Sequence, residues 1–280
     1  MQPPAPRIGT SSFTADGWEK TFYPAGLPDT GRLSFYAEQF DTLEIDSTFY
    51  ACPSYKTVRG WHARTPENFL FALKTPQVIT HEKCLIDCER EMRAFVEVVR
   101  DGLEEKLGAL LLQFPYFNKK TFPKADDFID RLEVFLADIL SKLQSEKIRI
   151  RFAIELRNKT WITPRLLELL REHVIALAMI DHPWMPPAKD LADRTDWVTA
   201  DFLYVRLLGD RYAIEERTKV WDKVIIDRSR ELADWESVLT RVRKRGEDLF
   251  IYINNHYSGH APETVRAMRK YWERKAAAMG

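Results

Sequence analysis

The segment RFAIELRNKTW, residues 151–161, decides how we expect the chain to fold. Its apolar residues alternate with polar or small ones, and this period of two is typical of a β-strand. A strand normally turns such a polar face to water, but the charges here are unevenly placed. At about 3.3 Å per residue, Arg151 lies roughly 20 Å from Arg157 along the strand. We therefore expect Arg151 at a solvated rim, and Glu155 and Arg157 at the opposite end, where they line a pocket.

Similar β-forming runs recur along the chain with helical patterns between them. In chain order the runs are RIGTSSF (7–13), TLEIDSTF (42–49), FLFALKT (69–75), GALLLQF (108–114), RIRFAIELR (149–157), VIALAMID (174–181), FLYVRLLG (202–209) and LFIYINN (249–255). The helical patterns lie at 31–40, 54–64, 88–106, 124–144, 163–173, 229–246 and 261–278.

This strand–helix alternation predicts an α/β protein with a parallel sheet. Eight such units in 280 residues favour a closed, eight-stranded (β/α)8 TIM-type barrel. A doubly wound open sheet is the alternative, but no Gly-rich fingerprint follows the first strand. Since no linker-like segment divides the chain, we expect residues 1–280 to form a single barrel domain.

Composition restricts the class of protein. The chain is 45% hydrophobic and 30% charged with a formal net charge of zero, which argues against binding nucleic acid through overall basic charge. The longest apolar runs are too short to span a bilayer, and MQPPAPRIGTSSF lacks the pattern of a signal peptide. Three cysteines do not suggest a disulfide framework. We therefore expect a cytoplasmic protein with no membrane partner.

Polar residues collect at the carboxyl ends of the predicted strands, where barrel enzymes assemble their active sites. In chain order they are Thr10, Ser11, Glu44, Lys74, Gln113, Glu155, Arg157, Asp181, Arg206, Asn254 and Asn255. His81 follows the third strand and is a candidate general base near neutral pH. We expect these side chains to converge on one cavity.

With these residues in view, the chain resembles the DUF72 family, the YecE-like proteins, a family of barrel fold with no established activity. The resemblance rests on segments that follow one another through nearly the whole chain: IGTSSF (8–13), FYP (22–24), EIDSTFYACP (44–53), FALKTPQVITH (71–81), LLLQFP (110–115), AIELRNKTW (153–161), MID (179–181), YVRLLG (204–209) and FIYINN (250–255). It implies the fold and assigns no reaction.

Three positions depart from the family pattern. Residues 11–12 are Ser-Ser where the family usually has Ser-Gly or Gly-Trp, and Asp46 replaces a usual Asn. Leu208 replaces the His of the family's Arg-Leu-His-Gly segment. If that His takes part in chemistry, the activity of this member is altered or lost.

Three carboxylates, Glu44, Glu155 and Asp181, are expected at one mouth. They suit acid–base catalysis or a divalent metal. In the alternative they pair with cations, because an isolated buried charge is costly. We favour acid–base catalysis without a metal, since no cluster of His ligands accompanies these strand ends.

A second arrangement, His81 with Cys84 and Cys88, loosely suggests zinc, but its spacing matches no usual zinc motif. We therefore expect no bound metal and no cofactor.

The cationic half of the mouth consists of Lys74, Arg157 and Arg206. Arg presents a planar fork suited to carboxylate or phosphate, whereas Lys acts as a point charge. In one interpretation these cations hold the carboxylates in ion pairs. Three cations exceed what one anion requires, so we favour a small anionic substrate that bears phosphate or carboxylate, with phosphate preferred.

The sequence therefore predicts an enzyme, either a hydrolase or a lyase or isomerase, acting on a small anionic substrate. The expected catalytic residues are Glu44, Glu155, Lys74 and Asp181, and the expected substrate-binding residues are Thr10, Ser11, His81, Gln113, Arg157, Arg206, Asn254 and Asn255. One alternative is a metal-assisted phosphodiester hydrolase acting on nucleic acid, a partner that is not favoured. The other is a non-catalytic ligand-binding or regulatory barrel, which Leu208 favours.

Overall fold

The computed structural model describes residues 4–145, 150–243 and 247–279. Its strands are β1 (Arg7–Thr10), β2 (Thr42–Ile45), β3 (Leu70–Lys74), β4 (Leu107–Gln113), β5 (Phe152–Glu155), β6 (Ala176–Leu177), β7 (Met179–Asp181), β8 (Phe202–Leu207) and β9 (Asp248–Ile253). Its helices are α1 (Asp29–Gln39), α2 (Tyr55–Ala63), α3 (Glu89–Leu103), α4 (Ala125–Ser145), α5 (Pro164–Glu172), α6 (Arg211–Glu215), α7 (Ser229–Val242), α8 (Asn255–Ser258) and α9 (Ala261–Met279). Residue 149 of the predicted fifth strand and residues 244–246 of a predicted helix lie outside the described residues.

The strands form two parallel sheets, and the predicted α/β fold with parallel pairing is confirmed. One sheet has the order β1-β9-β8-β7, and the other has the order β2-β3-β4-β5-β6. The predicted sixth strand is therefore divided between the sheets. Ala178 alone separates β6 from β7, and its N–H donates to the carbonyl of Ile154 in β5 at 2.8 Å. At the other junction, an isolated parallel bridge joins Ser11 after β1 to Glu44 of β2.

The close approach of β1 to β2 depends on a glycine. A Cβ built on Gly9 would lie 2.1 Å from the carbonyl oxygen of Thr42, so no other residue fits without moving the backbone. Thr42 is itself held from two sides. Its hydroxyl donates to the carbonyl of Leu70 at 2.8 Å and lies 2.8 Å from the hydroxyl of Tyr252. The backbone is also unusual at Ser12, whose φ of +132° lies in a region that favours glycine.

The strands bury both faces. One face, called here the central face, carries Ala72, Ala109, Ala153, Ala176 and Ala178, together with the rings of Phe202, Tyr204, Phe250 and Tyr252. The alanines of β3 to β6, together with Ala178, thus leave the room that the aromatic rings of β8 and β9 fill. The opposite face packs against the helices and is called the helix face.

Helix α3 illustrates why the helices pack there. Its buried residues recur every three or four positions, which gives it one apolar stripe: Met92, Phe95, Val96, Val99 and Leu103. Within the described ranges, the structure contains no helix whose length and apolar character would let it cross a membrane.

Substituting Gly9 tests the junction between β1 and β2. We expect Gly9→Ala to lower the free energy of unfolding by about 3 kcal/mol, because the added methyl group displaces the Thr42 carbonyl. The matched control is Gly60→Ala inside α2, where the nearest atom is a terminal nitrogen of Arg64 at 3.4 Å. That change should stabilise the protein by about 0.5–1 kcal/mol. Urea denaturation measures both, and equal stabilities would refute the close-approach argument.

Candidate functional site

A buried guanidinium organises the carboxyl ends of β2, β5 and β8. Arg206 of β8 donates to Glu44 Oε1 through Nε at 3.0 Å and through Nη2 at 2.7 Å. Its Nη1 donates to Glu155 Oε2 at 2.7 Å, and its Nη2 also donates to Asp46 Oδ1 at 3.2 Å. These bonds use four of the five N–H donors of the guanidinium. Arg206 is thus committed to protein carboxylates, not to the substrate anion for which the sequence suggested it.

Glu155 is held on both oxygens. Oε2 accepts from Arg206, and Oε1 accepts from Arg157 Nε at 2.7 Å, with the carboxylate fully buried. Burial alone would raise the pKa of Glu155, but Arg157, Arg206 and Lys74 outweigh it and hold the pKa at about 2. The carboxylate therefore stays ionised at neutral pH. A carboxylate that is so firmly paired is a weak proton acceptor, which favours the ion-pair interpretation of Glu155.

Glu44 is equally enclosed. Its Oε1 accepts from Arg206, and its Oε2 accepts from the Tyr204 hydroxyl at 2.5 Å. Burial, with the charge of Glu44 next in size, raises the pKa of Tyr204 well above its ordinary value of 10, so the phenol remains a donor. Glu44, like Glu155, has no oxygen without a protein partner.

Asp46 lies at the solvent side of the same network, with 30% of its side chain exposed. Burial and the neighbouring charge of Glu44 raise its pKa to about 7, against the opposing effects of Arg206 and Lys74. Asp46 thus exists in both protonation states near neutral pH. The sequence marked it as a family departure and not as a site residue, although it directly follows β2, the strand that carries Glu44.

Lys74 presents a cation that is not held by a carboxylate. Its Nζ lies 3.7 Å from the ring centroid of Phe49, and within the described residues it makes no hydrogen bond and no ion pair shorter than 4.0 Å. The ring favours the ammonium form. Burial, followed by the repulsion of Arg206, lowers the pKa of Lys74, while Asp46, Glu155 and Glu44 oppose that shift. The amine is available for a ligand.

Two histidines flank these charges. His81 contacts the Phe49 ring edge-on at 4.8 Å, and its Nδ1 lies 2.8 Å from the Thr80 hydroxyl. Burial, then the charges of Lys74 and Arg157, lower the pKa of His81 to about 4. Burial, then the charge of Arg157, lowers the pKa of His182 to about 4. Both rings are therefore neutral at physiological pH.

The remaining predicted residues divide into two groups. Ser11 and Gln113 lie beside the network, because Ser11 forms the bridge with Glu44 and Gln113 is the register partner of Glu155. The Gln113 amide donates to the carbonyl of Phe114, whereas the buried Ser11 hydroxyl has no partner in the described part of the chain.

Asp181 does not reach the network, which corrects the expected convergence. It follows Ile180 of the central face and therefore points to the helix face, like Met179. Its Oδ2 accepts from Trp235 Nε1 at 2.7 Å and from the Tyr257 hydroxyl at 3.3 Å. Burial raises the pKa of Asp181, although both hydrogen bonds oppose the shift.

Thr10, Asn254 and Asn255 are likewise engaged elsewhere. Thr10 also points to the helix face, where its hydroxyl lies 2.9 Å from that of Tyr36. Asn254 caps α8 by accepting from the backbone N–H of His256 at 3.0 Å. Asn255 accepts from Trp18 Nε1 at 3.2 Å. These three bonds stabilise the fold around the strand ends.

The proposed metal ligands are not assembled. Glu44 and Glu155 are separated by Arg206, and Asp181 lies on the opposite strand face. The Cys84 thiol donates to the backbone carbonyl of His81 at 3.2 Å, not to its ring. Among the described residues, the metal-type side chains with ligand atoms within 4.8 Å of one another are His62, Glu104 and Glu105 at the protein surface.

Comparison with known proteins identifies the family. The family described as "Protein of unknown function DUF72" matches residues 7–279, and the chain belongs to it, which confirms the resemblance. The UPF0759 protein YunF of Bacillus subtilis is 26% identical over 275 residues, covering 90% of this chain and 91% of that protein. A solved DUF72 family protein from Thermotoga maritima is 25% identical with a TM-score of 0.69, covering 95% of this chain and 98% of that chain.

The fold is shared more widely. A D-tagatose 3-epimerase-like protein of known structure has a TM-score of 0.57 at 15% identity, covering 98% of this chain and all of that chain. At this identity the similarity is one of fold alone.

The conservative variant Glu155→Gln tests whether this carboxylate is structural. The amide would leave Arg157 and Arg206 without their full partner, so we expect the free energy of unfolding at pH 7 to fall by about 3–5 kcal/mol. Glu133→Gln, which alters a carboxylate that is 57% exposed and paired with Arg165 at the surface, is the control and should change stability much less.

The same variant should alter the pH dependence of stability. Because the folded pKa of about 2 lies below the ordinary value of 4.5, this stabilisation is present above pH 4.5 and disappears as the pH falls towards 2. Between pH 4.5 and 2, the free energy of unfolding of wild type should therefore approach that of Glu155→Gln. The free energies come from urea denaturation at each pH. A constant difference between the two proteins across this range would contradict the structural role of Glu155.

Proposed function

We propose that the two sheets form one closed eight-stranded (β/α)8 barrel and that residues 1–280 are a single domain. Two contacts support closure. The Ser11–Glu44 bridge joins β1 to β2, and the single residue Ala178 connects β6 with β7. In this arrangement β6 and β7 count as one strand, and the central face becomes the barrel interior. The carboxyl ends of all strands then surround one mouth.

We further propose that this mouth binds a small anionic substrate, with phosphate the preferred group. The observation that carries the proposal is the ammonium of Lys74, which lies among buried charges without a carboxylate partner. Arg157 adds a second cation whose Nε alone is used by Glu155. Lys74 ends β3 and Arg157 follows β5, on either side of β4 in the same sheet. A point charge and a planar fork in these positions suit the oxygens of a phosphate group.

The acid–base role passes from Glu155 to Asp46. Glu155 and Glu44 serve as counter-ions that position Arg206, and Asp181 has no part in the reaction. A catalytic acid–base group is most effective when its pKa lies near the working pH, and the Asp46 pKa of about 7 meets that requirement. Asp46 can accept a proton in one step and return it in the next, as a lyase or isomerase reaction requires. The neutral His81 ring is placed to hydrogen-bond the substrate.

A non-catalytic ligand-binding barrel is the second candidate. Leu208 favours it, because this residue adds an apolar side chain to the central face, just beyond Arg206, where the family usually has His. Turnover distinguishes the two functions. A binding barrel gains thermal stability from a ligand that it leaves chemically unchanged.

Removing the Lys74 charge tests the anion site. We expect Lys74→Met to weaken phosphate binding about 10- to 150-fold, because one charge-assisted hydrogen bond contributes about 1.5–3 kcal/mol. The Lys74 ammonium makes no hydrogen bond or ion pair within the described residues, so the variant should remain folded, which urea denaturation verifies. Arg165→Ala, which removes a surface cation on α5, is the control and should bind phosphate like wild type. Isothermal titration calorimetry gives both affinities, and an unchanged affinity in Lys74→Met would exclude this residue from the site.

The protonation of Asp46 should also appear in the pH dependence of binding. Sulfate is a suitable probe because it stays doubly charged. As the pH rises through about 7, ionisation of Asp46 places a negative charge beside the bound anion, and sulfate affinity should fall. If the repulsion between ionised Asp46 and sulfate is about 1 kcal/mol, the affinity for sulfate falls about fivefold.

Asp46→Asn separates this effect from titration of Lys74, the other group beside the site whose charge is lost as the pH rises. The Asn variant should bind sulfate with the same affinity on both sides of pH 7. If its affinity falls as steeply as that of wild type, Asp46 is not the titrating group.

A further inference from the structure

Two exposed aromatic side chains lie together beside the mouth. Tyr116 follows β4 and is 57% exposed, and Trp184 follows β7 and is 51% exposed. Their ring centroids are 5.5 Å apart with an interplanar angle of 70°. We call this pair the aromatic ledge. Because each ring leaves about half of its surface in water, core packing does not explain the pair.

The ledge is held in place by its neighbours. Asn158, which is buried, accepts from the backbone N–H of Phe117 at 3.0 Å and donates to the carbonyl of Phe117 at 2.9 Å. The residue after Tyr116 is thereby fixed to the segment after β5. On the other side, the backbone N–H of Trp184 donates to His182 Nδ1 at 3.2 Å, and the two rings lie 5.0 Å apart, edge to face. The rings are preorganised rather than free.

The same two anchors connect the ledge to the cationic site. Asn158 directly follows Arg157, whose Nε holds Glu155. His182 lies close enough to Arg157 and Glu155 for both charges to influence its titration. A molecule bound at Arg157 and Lys74 therefore has the ledge on one side of it.

We propose that the substrate carries a flat aromatic ring joined to its anionic group, as a nucleoside monophosphate does. The anion binds at Arg157 and Lys74, and the ring packs against Trp184 and Tyr116. Stacking on an aromatic side chain accepts any ring with a π-face, which suits an exposed platform that offers few hydrogen-bonding groups. The assignment rests on the proposed anion site and adds the chemical class of the molecule that occupies it.

The test compares three probes by isothermal titration calorimetry: adenosine 5′-monophosphate, ribose 5-phosphate and inorganic phosphate. Wild type should bind the nucleotide about 5- to 150-fold more tightly than ribose 5-phosphate, which is the range that stacking of one base supplies. Trp184→Ala should abolish this preference and leave the affinity for inorganic phosphate unchanged. Urea denaturation verifies that the variant is folded.

Tyr212→Ala is the matched control, because Tyr212 is 78% exposed on α6 and makes no ring contact with the ledge in the described structure. It should keep the preference for the nucleotide. Equal affinities of wild type for the nucleotide and ribose 5-phosphate would overturn the ledge assignment and leave the anion site intact. A preference lost in Tyr212→Ala but kept in Trp184→Ala would also overturn it. Failure to bind all three probes would overturn the proposed function as well.

Discussion

The structure depends on one buried guanidinium. Arg206 joins β8 to Glu44 on β2 and to Glu155 on β5, so a single side chain connects strands from both sheets. Buried charges are costly unless they are paired and hydrogen-bonded, and here both buried carboxylates have protein donors on both oxygens. A slip of one residue in any of these strands would turn its charged group to the other face and leave the partners unpaired. The ion network therefore specifies the strand register as well as the site.

The same network gives its carboxylates different properties. Glu155 is surrounded by cations that hold its pKa at about 2, whereas burial and the neighbouring charge of Glu44 raise the pKa of Asp46 to about 7. Two carboxylic acids within one site are thus separated by their environments, which is how many enzymes divide structural and proton-transfer roles. The three carboxylates and three cations of the site balance one another in charge. Even so, Asp46 titrates near neutral pH and Lys74 has no carboxylate partner.

The central face is packed by side chains of complementary size. Alanines on β3 to β6, together with Ala178, share this face with the aromatic rings of β8 and β9, and Gly9 lets β1 approach β2. Tyr204 belongs to both systems, because its ring packs in this apolar layer while its hydroxyl donates to Glu44. The ion network therefore lies directly beside the packed central face, and this packing limits how far the charged residues can move.

Much of this protein could be predicted from local sequence. The apolar, β-forming runs located the strands. The polar residues at their carboxyl ends included Glu44, Lys74, Glu155, Arg157 and Arg206, which the structure does bring together. Strand geometry is a local property, so each run carries that information itself. The break at Ala178 was missed, because a run of apolar residues does not reveal with which sheet each half pairs.

The tertiary structure decided to which face of a strand each side chain points and with which charged groups it pairs. The sequence placed Thr10 and Asp181 at strand ends, but the packing of Ile8 and Met179 turns that face of each strand towards the helices. It named Arg206 as an anion clamp, yet the three carboxylates that occupy this guanidinium lie about 50 to 160 positions away in the chain. The pKa of Asp46 depends first on its burial, and only the folded chain creates that burial. Electrostatic interactions depend on distances in space, and these distances cannot be obtained from the spacing of residues along the chain.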